Sequence, residues 1–190
     1  MKSDLEPSQG EVFIRSLLAP LLERMYYKPF VTKMGLKGNE KVIDFGSGPG
    51  ICAKCIANVL HHGGQLSCVD ISSRWLEAAR RRLSGYRNAT FYQGKIGDLN
   101  LKPSGYDLIV IHFVIHDIPK PERKEILDHL KQALRSGGRI IIREPLDEKH
   151  GIQTEELHAL FTGCDLRKIS LTTEKLRFAG HIAEGIFQKP

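Results

Sequence analysis

A chain of 190 residues is long enough for one domain with a real core and little more. Its 41% hydrophobic and 26% charged residues are ordinary for a globular protein, and no apolar run reaches the ~20 residues of a membrane helix. The formal net charge of +6 permits weak attraction to anionic partners and says nothing about the fold. No internal repeat, low-complexity tract or Pro/Ser-rich linker interrupts the chain. The start, MKSDLEPSQGE, lacks the basic-then-apolar layout of a secretory leader. A cytoplasmic location is therefore expected, with Cys52, Cys55, Cys68 and Cys164 kept reduced.

Residues 10–35 read as one or two helices, with Val12, Leu17, Leu18, Leu21, Leu22 and Met25 on a helical stripe and Pro20 placed to kink or divide them. A first strand, Lys41 to Phe45, runs into Gly-Ser-Gly-Pro-Gly, and a helix follows from about Gly50 to His61, where Gly63-Gly64 ends it. The second strand is Gln65 to Asp70. Ser72 or Ser73 caps the next helix, which carries Trp75, Leu76, Ala79 and Leu83. Thr90 to Gln93 and the nearly all-apolar Tyr106 to Ile111 are strands three and four. A helix from about Pro121 to Leu134 turns Ile126, Leu127, Leu130 and Leu134 inward. Strand five is Arg139 to Arg143. The tail reads as a helix near Thr154 to Phe161 and two strands, Leu166 to Thr172 and Ala183 to Gln188, paired as a hairpin at one sheet edge. The alternation specifies an α/β domain with a mostly parallel sheet.

The stretch from Val42 to Gly50 carries most of the information. Its glycines allow a sharp turn and close approach of a ligand, and the free N–H groups at the helix start favour polar or anionic groups. The spacing is Gly-x-Gly-x-Gly, with Ile51 standing where a dinucleotide fingerprint puts its last glycine. Asp44, two residues before the first glycine, repels a pyrophosphate and suits a cationic amino group. Asp70 ends strand two, 20 residues beyond Gly50, where a carboxylate accepts from the hydroxyls of a ribose or simply caps the following helix.

Asp44-Phe45-Gly46-Ser47-Gly48-Pro49-Gly50 resembles motif I of the class I S-adenosylmethionine-dependent methyltransferases, and Val69-Asp70-Ile71-Ser72 resembles their second motif. Tyr106 to Val110 is similar to their fourth strand, and Leu134 to Arg139 to the turn into the fifth. Within that class the chain looks closest to the small-molecule methyltransferases of the ubiquinone/menaquinone type. The resemblance implies a Rossmann-like, doubly wound, mostly parallel seven-stranded sheet with a terminal antiparallel hairpin. It implies one methyltransferase domain over 1–190, with a helical cap over 1–38 and the core over 39–190. It implies S-adenosylmethionine as cofactor, held by Asp44, Gly46, Ser47, Gly48 and Gly50 at the methionine end and Asp70 and Ile71 at the ribose, with His112, Phe113 and Tyr27 nearby. One position departs. Gly94-Lys95-Ile96 stands where the family often has Gly-Asp-Ala, and a lysine has no acceptor for an adenine amino group. Asp98 from the next turn or the Ile96 backbone is placed to meet the ring instead, and Lys95 reads equally as a ligand-side residue or a solvent-facing lysine.

Methyl transfer is an in-line displacement in which the enzyme chiefly aligns the partners and excludes water. A hydroxyl or acidic-carbon acceptor gains from a base, for which His116 comes first, His112 second and Glu144 third. Tyr26 and Tyr27 are placed to cover a sulfonium or to pack the helix. The strand-four end, His112 to Asp117, is not the Asn/Asp-Pro-Pro-aromatic signature of amine methyltransferases, so a small-molecule acceptor at O, C or N is expected. An RNA or protein acceptor, a nicotinamide-dependent oxidoreductase and a non-catalytic cofactor-binding subunit remain as alternatives. No metal centre is expected, because Cys52-Ala53-Lys54-Cys55 has no second pair at zinc-site distance. Arg80-Arg81-Arg82 and Lys120 to Lys124 read as solvated helix faces rather than a nucleic-acid surface. A homodimer is left open.

Overall fold

Alternating apolar strands and amphipathic helices bury most surface by stacking helices on a sheet. In a computed structural model of the chain, which describes residues 6–147, 151–177 and 180–190, they do so. The leader reading of the first five residues lies outside the described part. Two compact units are formed, one ending at Leu99 and the other beginning at Asn100.

In the first unit, β1 (Lys41–Phe45), β2 (Gln65–Asp70) and β3 (Ala89–Gln93) pair in parallel in the order β3-β2-β1. Ile43 lies opposite Ser67, and Ser67 opposite Thr90. Every residue of β1 and β2 after the first is buried, as in strands covered on both faces. The linking helices are α3 (Ile51–Val59) and α4 (Ser73–Arg82). Ser72, not Ser73, caps α4, its Oγ accepting from the Trp75 N–H at 3.1 Å.

The N-terminal segment departs from expectation in two ways. Pro20 does not divide the first helix, α1 (Gln9–Leu22), although it lacks the N–H an α-helix needs at that point. The change of pitch comes three residues later, where Glu23–Tyr27 winds as a π turn before α2 (Lys28–Lys33). The apolar stripe is also turned partly outward: Leu17 and Leu21 are 69% and 55% exposed and Leu18 is exposed, while Val12, Leu22 and Met25 are half-buried, and Phe13 and Ile14 add to the exposed apolar surface. Helical spacing identifies a stripe but not which neighbour receives it. The buried face of α1 centres on Ala19.

The second unit holds β4 (Tyr106–His112), β5 (Leu134–Pro145), β6 (Arg167–Leu176) and β7 (Gly180–Gln188), in the order β4-β5-β7-β6. β4 and β5 are parallel, with Ile109 opposite Ile140, and β7 runs antiparallel to both β5 and β6. With the first unit's strands the order is β3-β2-β1-β4-β5-β7-β6, the mostly parallel seven-stranded sheet with a terminal hairpin. The helices are α5 (Lys120–Ala133) and α6 (Thr154–Thr162). Leu134, expected on the inner face of α5, is instead the first residue of β5, with extended dihedrals and a fully buried side chain. Among the described residues no helix is long and apolar enough to cross a membrane.

Candidate active site

The glycine turn after β1 is shaped by backbone hydrogen bonds that only glycine dihedrals allow. Gly46, Gly48 and Gly50 all have positive φ, at 71°, 50° and 74°. The N–H groups of Gly46 and Ser47 both donate to the Val69 carbonyl, at 2.8 and 3.0 Å, which folds the turn back over β2. At Gly50 a Cβ would lie 2.9 Å from both Ala79 Cβ and Leu83 Cδ1, so this glycine also brings α3 against α4. At Gly48 a Cβ would meet nothing within 4 Å, leaving open space at the turn.

The polar groups of this turn are incompletely satisfied in a pointed way. Asp44 is 1% exposed, accepts from the Ala53 N–H, and its Oδ2 has no hydrogen-bond partner among the described residues. Burial above all, then the neighbouring Asp70, pushes its carboxyl up to about 7. Ser47 Oγ is likewise buried without a partner among the described residues. Buried polar atoms are normally paired, so two orphans flanking a glycine turn mark where a ligand supplies the partners. A cationic ammonium fits Asp44, and the amino-acid end of S-adenosylmethionine carries one. The residues present therefore fit that group.

Of the two roles the sequence offered Asp70, its contacts show the one at the entrance of α4. Its Oδ1 accepts from the Ser72 N–H at 2.9 Å and its Oδ2 from the Gly48 N–H at 2.8 Å, tying the glycine turn to the entrance of α4. A carboxylate has about four acceptor directions, so two such bonds leave capacity for a diol. Burial raises its carboxyl above the ordinary range, only partly offset by these N–H groups. Ile71, the next residue, is 42% exposed although large and apolar. Gly94 N–H donates to the Asp70 carbonyl at 3.1 Å, which sets Lys95 and the buried Ile96 beyond the end of β3. Lys95 itself is exposed. Tyr27 ends the π turn; burial and then the nearby Cys52 raise its phenol, and Asp44 is close enough to add to the effect.

Two supports here were not singled out in the sequence. Arg82, read as part of a solvated helix face, is half-buried and its Nε donates to the Pro49 carbonyl at 2.8 Å, bracing the glycine turn from α4. Glu6 reaches the start of the same helix, accepting from Ser72 Oγ at 2.6 Å and from the Ser73 N–H at 2.9 Å. Neither had a local signal: one looks like any arginine on a basic face, the other like any acid in a polar stretch. The Cys52 and Cys55 thiols are both buried, and burial pushes Cys55 up to about 12, so Cys55 is not an activated thiolate.

In the second unit β4 ends in a tight turn. Phe113 takes a left-handed φ of 59° and its N–H donates to the Arg143 carbonyl at 2.8 Å. Glu144 on β5 is 0% exposed. Its Oε1 accepts from the Val114 and Ile115 N–H groups at 2.9 and 2.8 Å, and its Oε2 from the His116 N–H at 3.4 Å. Three successive N–H groups make an anion nest around this buried carboxylate. Oε2 also lies 2.7 Å from His116 Nδ1. That contact assigns the Nδ1 proton to the shared bond and leaves Nε2, 3.4 Å from Asp117 Oδ1, as the other ring nitrogen. Burial alone would lower the His116 pKa, but the hydrogen bond and charge of Glu144 outweigh it and the net direction is upward. His112 is the opposite case: burial, then Arg143, takes it down to about 3. Its ring stacks obliquely on Phe113 with centroids 4.3 Å apart.

Comparison with known proteins agrees with this geometry. A family model described as a methyltransferase domain matches residues 36–181. A demethylmenaquinone methyltransferase of Clavibacter sepedonicus is 30% identical over 105 residues, covering 55% of this chain and 41% of that protein. The demethylmenaquinone methyltransferase of Tropheryma whipplei (strain Twist) is 27% identical over 130 residues, covering 68% and 52%. The chain thus spans about half the length of these relatives. Among solved structures, a SAM-dependent methyltransferase from Aquifex aeolicus matches with a TM-score of 0.82 at 15% identity over 97% of this chain and 100% of that one, a likeness of fold alone. With a glycine turn, a strand-one acid, a strand-two acid and this strand order in one chain, the protein belongs to the methyltransferase domain family and has the Rossmann-like fold of its S-adenosylmethionine-dependent members.

Proposed function

We propose that this chain transfers a methyl group from S-adenosylmethionine to a small-molecule acceptor at oxygen, carbon or nitrogen. The observation that carries the reading is the unpartnered buried oxygen of Asp44 beside a glycine turn with open space at Gly48. Asp44, Gly46, Ser47, Gly48 and Gly50 take the amino-acid end, Asp70 and Ile71 the ribose, and Lys95 and the Ile96 backbone the adenine, with Tyr27, His112 and Phe113 around the reacting end. Bound there, the sulfonium supplies an electrophilic methyl group and leaves as a neutral thioether. The small-molecule acceptor is supported by the relatives named for demethylmenaquinone and by the absence of an amine-methyltransferase signature after β4.

Of the three candidate bases we assign the proton transfer to His116. Glu144 is fully buried with its oxygens on three backbone N–H groups, so its part is to hold the imidazole. His112, held near 3, is a feeble proton acceptor at neutral pH. In this reading His116 Nε2 takes the proton of an acceptor O–H or acidic C–H as the new bond to the methyl carbon forms. Calorimetric titration with S-adenosylmethionine, S-adenosylhomocysteine and NAD(H) tests the methyltransferase reading, and the kinetics of His116→Ala test the base. Heat with the first two and none with the last is expected; no heat with either sulfur compound overturns the methyltransferase reading.

A further inference from the structure

Arg123 is 7% exposed, on a helix whose other charged residues are mostly solvated. A guanidinium is almost never buried without partners that use it. Its Nε donates to the Ile118 carbonyl at 2.8 Å, its Nη2 to the His116 carbonyl at 3.3 Å, and its Nη1 to Glu156 Oε1 at 2.7 Å. Glu156 is half-exposed on the first turn of α6 and is also met by Lys120 at 3.0 Å.

The turn that carries His116 is therefore gripped by charge from both sides. Glu144 collects its N–H groups, and Arg123 collects its carbonyls. A backbone held at both kinds of group has little freedom to rotate the residue between them. Without the fork on the carbonyl side, the 2.7 Å contact of Nδ1 with Glu144 would depend on one carboxylate alone.

We propose that Arg123, oriented by Glu156, is a positioning residue that locks the His116 turn so that the imidazole keeps Nδ1 on Glu144 and presents Nε2 to the acceptor. The inference rests on the reading of His116 as the base. The charged groups facing the ring are Glu144 on β5, Asp117 on the same turn and Arg123 on α5. Arg123 opposes the two carboxylates, so it also restrains the basicity they confer.

The test uses the full chain with labelled histidine. The His116 ring is titrated by NMR in wild type, Arg123→Gln, Arg123→Lys and Glu156→Gln, with S-adenosylhomocysteine affinity measured in parallel. Arg123→Gln should move the His116 titration away from its wild-type position and speed amide exchange at residues 114–116 by about tenfold or more, a sign of local opening. Arg123→Lys keeps the charge but loses the three-way fork, so the exchange should quicken while the titration stays near wild type. Glu156→Gln changes a half-exposed side chain and guards against a variant that fails to fold; exchange should quicken there too. Methyl transfer to any acceptor that wild type accepts should fall in turnover by roughly tenfold to a hundredfold. Wild-type titration and exchange in a folded Arg123→Gln or Glu156→Gln protein would overturn the proposal. Loss of S-adenosylhomocysteine binding by wild type would instead overturn the methyltransferase reading and leave the His116 measurements standing as a separate result.

Discussion

Replacing Asp44 by asparagine separates what the site needs from what the fold needs. The carboxyl is 1% exposed and pushed up to about 7 from an ordinary value of 3.8. At ~1.4 kcal/mol per pH unit, that gap makes the ionised form cost on the order of 4 kcal/mol in the ligand-free protein. Because the folded value is the higher one, the stability is present in full below about pH 4 and is lost as the pH climbs through about 7. An asparagine has the same shape and no charge, but its buried amide needs partners, which takes back about 1–3 kcal/mol. Asp44→Asn should therefore melt higher than wild type at pH 8, by roughly 3–10 °C, and the advantage should shrink steadily toward pH 4. With S-adenosylhomocysteine at a hundred times its dissociation constant the wild type gains about 2.7 kcal/mol and the variant little, which removes most or all of the variant's advantage. The assay is a melt series from pH 4 to 8 with and without the ligand. A pH-independent difference between the two proteins, or an Asp44→Asn protein that is stabilised by the ligand as much as wild type, would refute the reasoning.

Other outcomes follow from the same geometry. His116→Ala should lower turnover while donor affinity stays near normal; unchanged kinetics with the true acceptor would remove His116 from the mechanism. Since a base works when deprotonated and His116 is raised above 6.5, the rate should fall on the acid side of that value and higher. Glu144→Gln should shift that acid limb to lower pH, as judged from kcat against pH. Gly50→Ala should destabilise by about 2–4 kcal/mol, through both its dihedrals and the 2.9 Å approach to α4. Gly48→Ala, strained only in φ, should be destabilised by about 1 kcal/mol in the melt, and a side chain in the open space should weaken S-adenosylhomocysteine binding.

The sequence shows strands β1 and β2 with their ends because a mostly apolar stretch stops abruptly at Gly46 in one case and at Asp70 in the other, and each such boundary is a local event in the chain. The hairpin β6–β7 was legible in kind but short in extent. Most of β6 is exposed, so its polar residues carry no burial pattern to mark where the strand begins and stops. Leu134 was misassigned for the related reason that an apolar residue at a helix end suits either element. The outward stripe of α1 shows the same limit: period is a local property, whereas the face that is covered depends on what packs there.

Composition and spacing by themselves determined the α/β class, the glycine turn, and the two acids Asp44 and Asp70 at strand ends, because each is encoded within a few consecutive residues. Tertiary structure alone decided how the two histidines differ. His112 and His116 are four residues apart and of one residue type, yet burial and then Arg143 lower the pKa of the first, while at the second Glu144 outweighs burial and raises it. The partners come from 28 and more residues away, so no reading of local sequence weighs them. Charge and burial act through space, and only folding determines which groups share it.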